Sequence, residues 1–353
     1  MKNEHSAASI PQSFISANSK NGFFSLYDTV FKTKTFDRIY VILGGPGAGK
    51  STFLRQISEK AKEDGISVEE ILCSSDPSSL DGVILKTSEK RIGVLDGTAP
   101  HSRIITAPAF CEEIIDLGVF WDAERIAVHK NELQLLGEKK KHSYARAYTL
   151  LSAAGALWEE RRLCYAPYFD KEKARRQIRH KLGASKQTGE VTYRFMRSFS
   201  GMGEFILHAL TESAQNIVYV SGNCVAAEIY LSYFEEILKN SSMKRTVFLS
   251  PLDGKSVDGI YLEESATLLL KESLKGNGGR GRRIVADRFF TACLETSKEQ
   301  RMSFEGVKAM ALSALSEAKK AHAAMEEFYI DSMDFEALRA YKDKKSTQIL
   351  SLI

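Results

Sequence analysis

The chain has 353 residues, 43% of them apolar, and is long enough to bury two domain cores of ordinary size. Its 49 lysine and arginine residues nearly balance its 45 acidic residues, and the net charge of +4 does not by itself indicate a nucleic-acid partner. No apolar run reaches the roughly 18 to 20 residues of a membrane span, and the polar residues 1–9 lack the apolar core of a signal peptide. The five cysteines are scattered without a C-x-x-C pair and indicate neither a disulfide framework nor a zinc site. We therefore expect a cytoplasmic protein with no membrane partner.

The first predicted elements lead to a glycine-rich loop. A short β-type segment at residues 13–16 is followed by a glycine-containing turn, a short helix and the apolar strand 39–43. A helix-like stretch then covers residues 52–62. Between strand and helix the chain reads Gly44-Gly45-Pro46-Gly47-Ala48-Gly49-Lys50-Ser51-Thr52. Glycines in this position let consecutive backbone N–H groups point at a phosphate, and the helix N-terminus adds partial positive charge, so we predict a phosphate-binding loop.

The residue types in this loop predict binding of ATP with Mg²⁺. Lys50 would reach the β- and γ-phosphates, and the Ser51 hydroxyl would hold Mg²⁺. The remaining positions of residues 44–52 would complete the nucleotide site through their backbone.

Two further strands are predicted after the first helix. Residues 65–72 form a strand in which Ile66, Val68 and the pair at 71–72 are apolar, and Gly65 ends the preceding helix. Residues 91–96 form a buried strand that ends in an acid. Asp96 has the position of the acid that orders the Mg²⁺ shell opposite Lys50 and Ser51; the simpler alternative is an acid that caps a strand end. The region from residue 109 to about 182 is predicted to be mostly helical.

Two more side chains are candidates for catalysis beside Lys50 and Asp96. Asp76, in a serine-rich loop after the second strand, could orient the attacking water, and His101 could orient a nucleophile or sense the γ-phosphate. Each has a simpler interpretation, since Asp76-Pro77 and Asp81-Gly82 are good turn formers and a loop histidine is often only solvated. No acid directly follows Asp96, where many ATPases carry their catalytic glutamate, so the sequence does not identify the catalytic base.

An internal repeat organises the chain, with the second copy of the loop displaced by about 178 residues. Three pairs of segments match in the same order: 39–44 with 217–222, 72–83 with 249–260, and 151–172 with 315–336. In the second copy Ala227, Glu228 and Ile229 replace the last glycine, the lysine and the serine of the loop, and the strand 267–271 ends in Lys271 instead of an acid. We therefore predict that the second copy binds no nucleotide, since a triphosphate would meet a carboxylate there.

The second copy carries a basic cluster at residues 279–283. If the copies pack as subunits of an oligomer do, Arg280, Arg282 or Arg283 could reach the nucleotide of the first copy as an arginine finger. The alternative is a surface loop, with contact to nucleic acid left open.

The loop at residues 44–52 and the strand ending at Asp96 resemble the P-loop NTPase superfamily. Together with residues 73–82, 96–101 and 116–122, they are similar to a poorly characterised group of bacterial tandem P-loop proteins regarded as ATPases. Alternating strands and helices predict mainly parallel sheets covered by helices. With the resemblance, we expect an α/β fold of two tandem three-layer α/β/α units with helical extensions, the second degenerate. Residues 1–185 would form the nucleotide-binding domain with its C-terminal helical extension, and residues 186–353 the degenerate repeat.

The sequence thus predicts an ATP-binding protein, specifically a Mg²⁺-dependent ATPase whose C-terminal half is structural or regulatory. One alternative is a small-molecule or nucleotide kinase, because the same loop suits phosphotransferases. Another is a nucleotide sensor that binds without hydrolysis. We expect the two halves to satisfy each other as an internal pseudo-dimer, while a protein partner stays open and nucleic acid is not indicated.

Overall fold

The structure, a computed structural model, describes residues 10–101, 103–182, 189–239, 241, 243–276, 280–292 and 297–353. We call residues 10–182 the first half and residues 189–353 the second half. Each half contains a six-stranded, mostly parallel sheet together with helices. The N-terminal residues 1–9, Gly279 and Cys293, which figure in the sequence predictions, lie outside the described residues.

The sheet of the first half has the strand order β1-β5-β6-β7-β4-β8, with β6 as its one antiparallel strand. A separate hairpin is formed by β2 and β3. The strands are β1 (Gln12–Ser13), β2 (Ser16–Ser19), β3 (Gly22–Ser25), β4 (Arg38–Leu43), β5 (Ser67–Leu72), β6 (Leu80–Lys86), β7 (Arg91–Asp96) and β8 (Glu112–Asp116). The helices are α1 (Tyr27–Val30), α2 (Lys50–Glu63), α3 (Ala123–Val128), α4 (Lys130–Tyr165) and α5 (Lys171–Leu182).

The sheet of the second half repeats this topology with the order β9-β13-β14-β15-β12-β16. Its antiparallel strand β14 corresponds to β6, its hairpin of β10 and β11 to β2 and β3, and a register shift interrupts β5–β6 and β13–β14 at the same place. The strands are β9 (Val191–Arg194), β10 (Arg197–Ser200), β11 (Gly203–Ile206), β12 (Asn216–Ser221), β13 (Arg245–Leu249), β14 (Val257–Leu262), β15 (Thr267–Lys271) and β16 (Arg282–Val285). The helices are α6 (Ala209–Ser213), α7 (Cys224–Leu238), α8 (Lys298–Ile330) and α9 (Phe335–Leu350). Two tandem α/β units with mainly parallel sheets, as predicted, are therefore present.

The cores of the sheets follow from the apolar strands. Residues 39–42 of β4 are all fully or almost fully buried, as expected for a parallel strand with both faces covered. Helix α2 packs over β5 and β6, and α7 packs over β14 in the same way. The structure differs from the prediction in two strands, β6 and β8. Asp81 and Gly82 lie inside β6 and form no turn, and the predicted helical region begins only at Ala123, after β8.

The long helices exchange partners between the halves. Helix α4 packs along α8, α9 packs against α2, and α5 packs against α7. The helical extension that follows each sheet along the chain therefore covers the opposite half. Within the described residues, no helix combines the length and the apolar character that crossing a membrane requires.

Equivalent residues of the two halves contact each other in both directions. Phe14 and Phe195 form an antiparallel bridge with N–H···O distances of 3.0 and 2.8 Å. The Lys20 amide donates to the Leu252 carbonyl oxygen at 2.8 Å. At the equivalent positions, the Gly201 amide donates to the Ser75 carbonyl oxygen at 3.3 Å. Such reciprocity is the mark of an isologous interface, here within one chain.

Candidate functional site

The glycine loop, residues 44–49, connects the end of β4 to the start of α2. Gly47 and Gly49 adopt the left-handed backbone conformation, with φ of 69° and 72°, which only glycine adopts at low energy. Gly49 is the N-cap of α2 and provides no side chain to bond the first amides of that helix. One amide of the loop already has an anionic partner, because the Gly47 N–H donates to the Glu326 carboxylate of α8 at 3.1 Å.

Lys50 lies folded back over the glycine loop. Its Nζ donates to the carbonyl oxygens of Gly44 at 2.6 Å and Gly45 at 2.8 Å, and lies 3.7 Å from Asp96 Oδ2. The Ser51 hydroxyl oxygen accepts from the amide of Leu80, at the start of β6, at 2.9 Å. Because β4 and β7 are parallel neighbours, their carboxyl ends bring Lys50 and Asp96 together.

Asp96 is a buried carboxylate, with only 8% of the residue exposed. Its Oδ1 accepts from the Thr98 amide at 2.8 Å and from the Thr98 hydroxyl at 2.6 Å. Burial raises the pKa of Asp96, and the charge of Asp81 adds to this, while Lys50 opposes it. A buried acid beside a second acid is an environment that a cation would stabilise.

The other two candidates for catalysis, His101 and Asp76, have partners of their own. His101 is buried, with its Nε2 3.1 Å from Asp81 Oδ2 and its ring stacked on Tyr27. Burial lowers the pKa of His101, but the neighbouring Asp81 carboxylate more than compensates and raises it. Asp76 accepts from the Ser78 hydroxyl at 2.6 Å and lies 3.0 Å from Lys319 of α8. His101 is thus not the solvated histidine of the simpler interpretation, whereas Asp76 does stabilise a turn.

Sequence reasoning missed the part of the site that comes from the second half. A Cβ atom on Gly47 would lie 2.8 Å from the Ile330 side chain of α8, so the helix sits directly on the glycine loop. From α9, Lys342 places its Nζ 3.4 Å from the Gly49 carbonyl oxygen, and only 8% of this lysine is exposed. The one available signal was the repeat itself, because it predicts that the halves pack on each other.

Two residues of the predicted arginine cluster belong to a strand. Arg282 and Arg283 belong to β16 at the edge of the second sheet, and Arg283 Nε is 2.7 Å from Glu272 in the same half. Among the described residues of the second half, Lys342 is a cation that does lie at the glycine loop.

In the second half, the contact between Lys50 and Asp96 recurs with its charges exchanged. Glu228 and Lys271 occupy the equivalent positions, and the Lys271 ammonium donates to the Glu228 carboxylate at 2.9 Å. Asp96 pairs with the penultimate residue of β4, and Lys271 pairs with the penultimate residue of β12. Asp96 and Lys271 therefore occupy equivalent positions in the two sheets. Lys271 also donates to Asp258 at 2.7 Å. Both partners of Lys271 are therefore buried acids.

The loop of the second half is wound into a helix. Helix α7 begins at Cys224, directly after its N-cap Asn223, so residues equivalent to the last four of the glycine loop form its first turn. The glycine and proline residues of the first copy are replaced by residues that a helix tolerates. The amide of Asn223 donates to the Asp287 carboxylate at 3.1 Å. A phosphate at this place would meet two carboxylates, Glu228 and Asp287.

Comparisons of this chain with protein-family models, with curated proteins and with solved structures find no match. Function is therefore inferred from the residues and their geometry alone.

Proposed function

We propose that the first half binds ATP with Mg²⁺ at residues 44–52 and hydrolyses it, as an ATPase of the P-loop type. The observation that carries this proposal is the juxtaposition of Lys50 and buried Asp96, 3.7 Å apart, beside a glycine loop that opens a helix. The contact between the Gly47 amide and the Glu326 carboxylate supports it, since it directs a loop amide at an anion.

The residues present fit the nucleotide and its metal. Lys50 and the loop amides would bind the phosphates, for which the backbone already has the required left-handed glycines. The Ser51 hydroxyl and the Asp96 carboxylate are the oxygen donors that Mg²⁺ prefers. Bound Mg²⁺ would polarise the phosphoryl oxygens and neutralise their developing charge.

Binding at this loop requires a change in its present contacts. Phosphate and the Glu326 carboxylate are both anions, so they compete for the Gly47 amide. Lys50 must also leave the carbonyls of Gly44 and Gly45 to reach a phosphate. Since Glu326 belongs to α8, nucleotide binding would move a helix of the second half, and turnover would change the relation between the halves.

A nucleotide sensor that does not hydrolyse is the second candidate. Both candidate bases are engaged, Asp76 with Ser78 and Lys319, and His101 with Asp81. A slow or absent chemical step would follow from that arrangement. For the kinase alternative, an acceptor could occupy a groove lined by residues 119–122, Arg125 and residues 332–334, because the Trp121 ring in this groove lies beside Gly45.

The test is calorimetric titration of the protein with ATP and with GTP in the presence of Mg²⁺, with phosphate release measured on the same samples. We expect one nucleotide site per chain, lost in Lys50→Ala. Glu228→Gln is the matched control and should bind as the wild type does. Glutamine keeps an acceptor for Trp158 and Lys271, which both donate to Glu228, whereas alanine would leave both without it.

The outcomes separate the candidates. Phosphate release with ATP alone supports the ATPase, binding without product supports the sensor, and phosphate transfer only to an added acceptor supports the kinase. Equal binding by the wild type and Lys50→Ala, or no binding by the wild type, would contradict the proposed site.

A further inference from the structure

Three potential metal ligands from separate segments meet next to Asp96. Cys73 directly follows β5, Asp81 is the second residue of β6, and His101 lies in the loop after β7. We call these three residues the thiol–imidazole cluster. The ends of β5 and β7 and the start of the antiparallel β6 lie at one edge of the sheet, which brings the three side chains together. Their ligand atoms all lie within 4.8 Å of one another.

Several polar atoms in and beside the cluster are buried without a hydrogen-bond partner among the described residues. They are Asp81 Oδ2, His101 Nδ1 and Tyr27 Oη. The contact of 3.1 Å between His101 Nε2 and Asp81 Oδ2 is an ion pair by distance but does not have hydrogen-bond geometry. Buried polar atoms are nearly always paired, so atoms of this kind concentrated at one place call for a ligand.

The second half shows what satisfies the same carboxylate there. Asp258, the equivalent of Asp81, accepts from Arg197 at 2.6 Å and from Lys271 at 2.7 Å. Both cations are missing from the first half. The first residue of the hairpin is a serine instead of an arginine, and the last residue of the neighbouring strand is Asp96 instead of a lysine.

Because Ser16 and Asp96 stand in place of Arg197 and Lys271, the first half has less positive charge around its carboxylates. Lys50 lies near Asp96, and Asp81 faces the imidazole of His101, the thiol of Cys73 and the hydroxyl of Tyr27. None of these three side chains replaces the two permanent cations that surround Asp258. A bound metal cation would supply the missing charge.

We propose that Cys73, Asp81 and His101 bind a divalent transition-metal ion, preferentially Zn²⁺. A thiolate, a carboxylate and a neutral imidazole are a zinc donor set, and two negative ligands neutralise the dication in a buried site. Mg²⁺ prefers oxygen ligands only, so this site is distinct from the one proposed at Ser51 and Asp96. Tyr27, which stacks on the His101 ring with centroids 4.8 Å apart, holds the imidazole in place.

The proposed metal would clamp the ends of three strands beside the glycine loop. The cysteine spacing along the chain gave no sign of it, because the ligands come from three segments that only the fold assembles. No nucleotide is needed for this site, so it can be tested independently of the proposed ATPase.

The experiment uses the full-length chain, stripped with a chelator, dialysed and titrated with Zn²⁺ in competition with a chromophoric chelator, without nucleotide. We expect one Zn²⁺ per chain. Cys73→Ser and Asp81→Asn should each weaken binding by more than the roughly 10–100-fold that loss of a second-shell partner causes. Lys50→Ala should still bind one Zn²⁺ per chain, because Lys50 is not a ligand of this site, which separates this site from the nucleotide site. Cys164→Ser, at an exposed cysteine, is the matched control for adventitious thiol binding.

Replacement of Zn²⁺ by Co²⁺ in the wild type gives a readout that does not depend on the folding of a variant. Coordination by Cys73 predicts a thiolate-to-cobalt charge-transfer absorption that is present in the wild type and in Cys164→Ser. The proposal is overturned if the wild type binds no stoichiometric Zn²⁺, if bound Co²⁺ shows no such absorption, or if Cys164→Ser loses as much affinity as Cys73→Ser.

Discussion

Lys50 and Asp96 form a contact that Glu228 and Lys271 repeat with opposite charges. In both halves a cation faces a carboxylate at the ends of two neighbouring strands, so both arrangements limit the penalty of burying a charge. Only the first arrangement presents a cation to the glycine loop and an acid to a magnesium ion. The choice of sign at two positions is thus what separates a candidate binding site from a structural ion pair.

The first prediction concerns Asp96. Asp96→Asn should weaken binding of ATP in the presence of Mg²⁺ and lower the rate of hydrolysis on the order of 10²–10³-fold, because the Mg²⁺ that stabilises the charge of the transferred group loses a ligand. Binding measured with EDTA present should change little, since the loop and Lys50 are intact. Calorimetry with and without Mg²⁺ checks this, and an equal change under both conditions would remove Asp96 from the metal site.

The second prediction concerns Lys271. Only 4% of this residue is exposed, and it donates to two buried acids. Lys271→Met should lower the free energy of unfolding by about 3–5 kcal/mol, because Glu228 keeps a buried charge without its cationic partner and Asp258 loses one of its two cations, Arg197 being the other. The measurement is urea-induced unfolding of the wild type and the variant.

Lys50→Met is the matched control for Lys271→Met. It should destabilise the chain less, because the 3.7 Å contact of Lys50 with Asp96 is long and Thr98 continues to donate to that acid. Equal losses of stability in the two variants would mean that the buried ion cluster of the second half has no special structural weight.

At the scale of elements, the glycine loop is covered by helices from the other half. Glu326 and Ile330 of α8 contact Gly47, and Lys342 of α9 lies near Gly49. Lys342 of α9 is equivalent to Ile178 of α5, which is buried. Of these two positions, a lysine is therefore present only at the one that covers the intact glycine loop. Helices α8 and α9 are therefore the elements through which the second half can respond to a nucleotide.

The third prediction follows from the contact of Glu326. Glu326→Gln should tighten binding of ATP by about tenfold, or roughly 1.4 kcal/mol, because the variant removes a charge that competes with phosphate for the Gly47 amide. Calorimetric titration measures the change. Glu327→Gln, at the exposed neighbour on α8, is the control and should leave the affinity unaltered. Weaker or unchanged binding in Glu326→Gln would show that this carboxylate does not compete with nucleotide.

The elements that could be predicted from the sequence are those with a strong local pattern. Apolar runs predict strands β4, β5 and β7, and the glycine residues of the loop 44–49 predict that a helix begins after them. Strand β6 was missed because Asp81-Gly82 is typical of turns, yet here Gly82 pairs with both neighbouring strands and Asp81 lies in the same strand at the register shift between β5 and β6. Local preference for a turn was overridden by pairing with two neighbouring strands.

The candidate site was only half predictable for a related reason. Lys50, Ser51 and Asp96 belong to one motif and one neighbouring strand, so their proximity follows from the topology. The contacts of Glu326 and Lys342 depend on how two distant halves pack, which no local pattern encodes. The meeting of Cys73 with His101 likewise depends on the unpredicted strand β6.

At the scale of the whole molecule, an ion pair between the two sheets has no counterpart at the equivalent positions. Arg194 of β9 forms a bidentate pair with Glu69 of β5, at 2.6 and 3.1 Å. In the other half, Ser13 is equivalent to Arg194 and Thr246 is equivalent to Glu69, and neither carries a charge. This ion pair ties the two sheets together, with only 4% of the arginine side chain and 14% of the glutamate side chain exposed.

The fourth prediction is the dependence of stability on pH that this pair produces. Burial raises the pKa of Glu69, but the charge and hydrogen bonds of Arg194 outweigh burial and lower it below the ordinary value. A carboxyl whose pKa is lowered by folding stabilises the protein above the unfolded pKa of about 4.3 and loses that contribution as pH falls through the folded pKa. Acid should therefore weaken the contact between the halves.

Glu69→Gln tests this dependence. At neutral pH the variant should be less stable by about 1.5–3 kcal/mol, because hydrogen bonds to a charged group are lost. Below about pH 4 the difference from the wild type should shrink, since protonation removes the same charge from the wild type. Glu172→Gln, in an exposed pair with Arg175, should change stability little at any pH. Urea unfolding at a series of pH values measures the stability of both variants. If the difference in stability between Glu69→Gln and the wild type stays constant down to pH 3, the Glu69 carboxyl does not couple folding to proton binding. The interface would then depend on its backbone and apolar contacts.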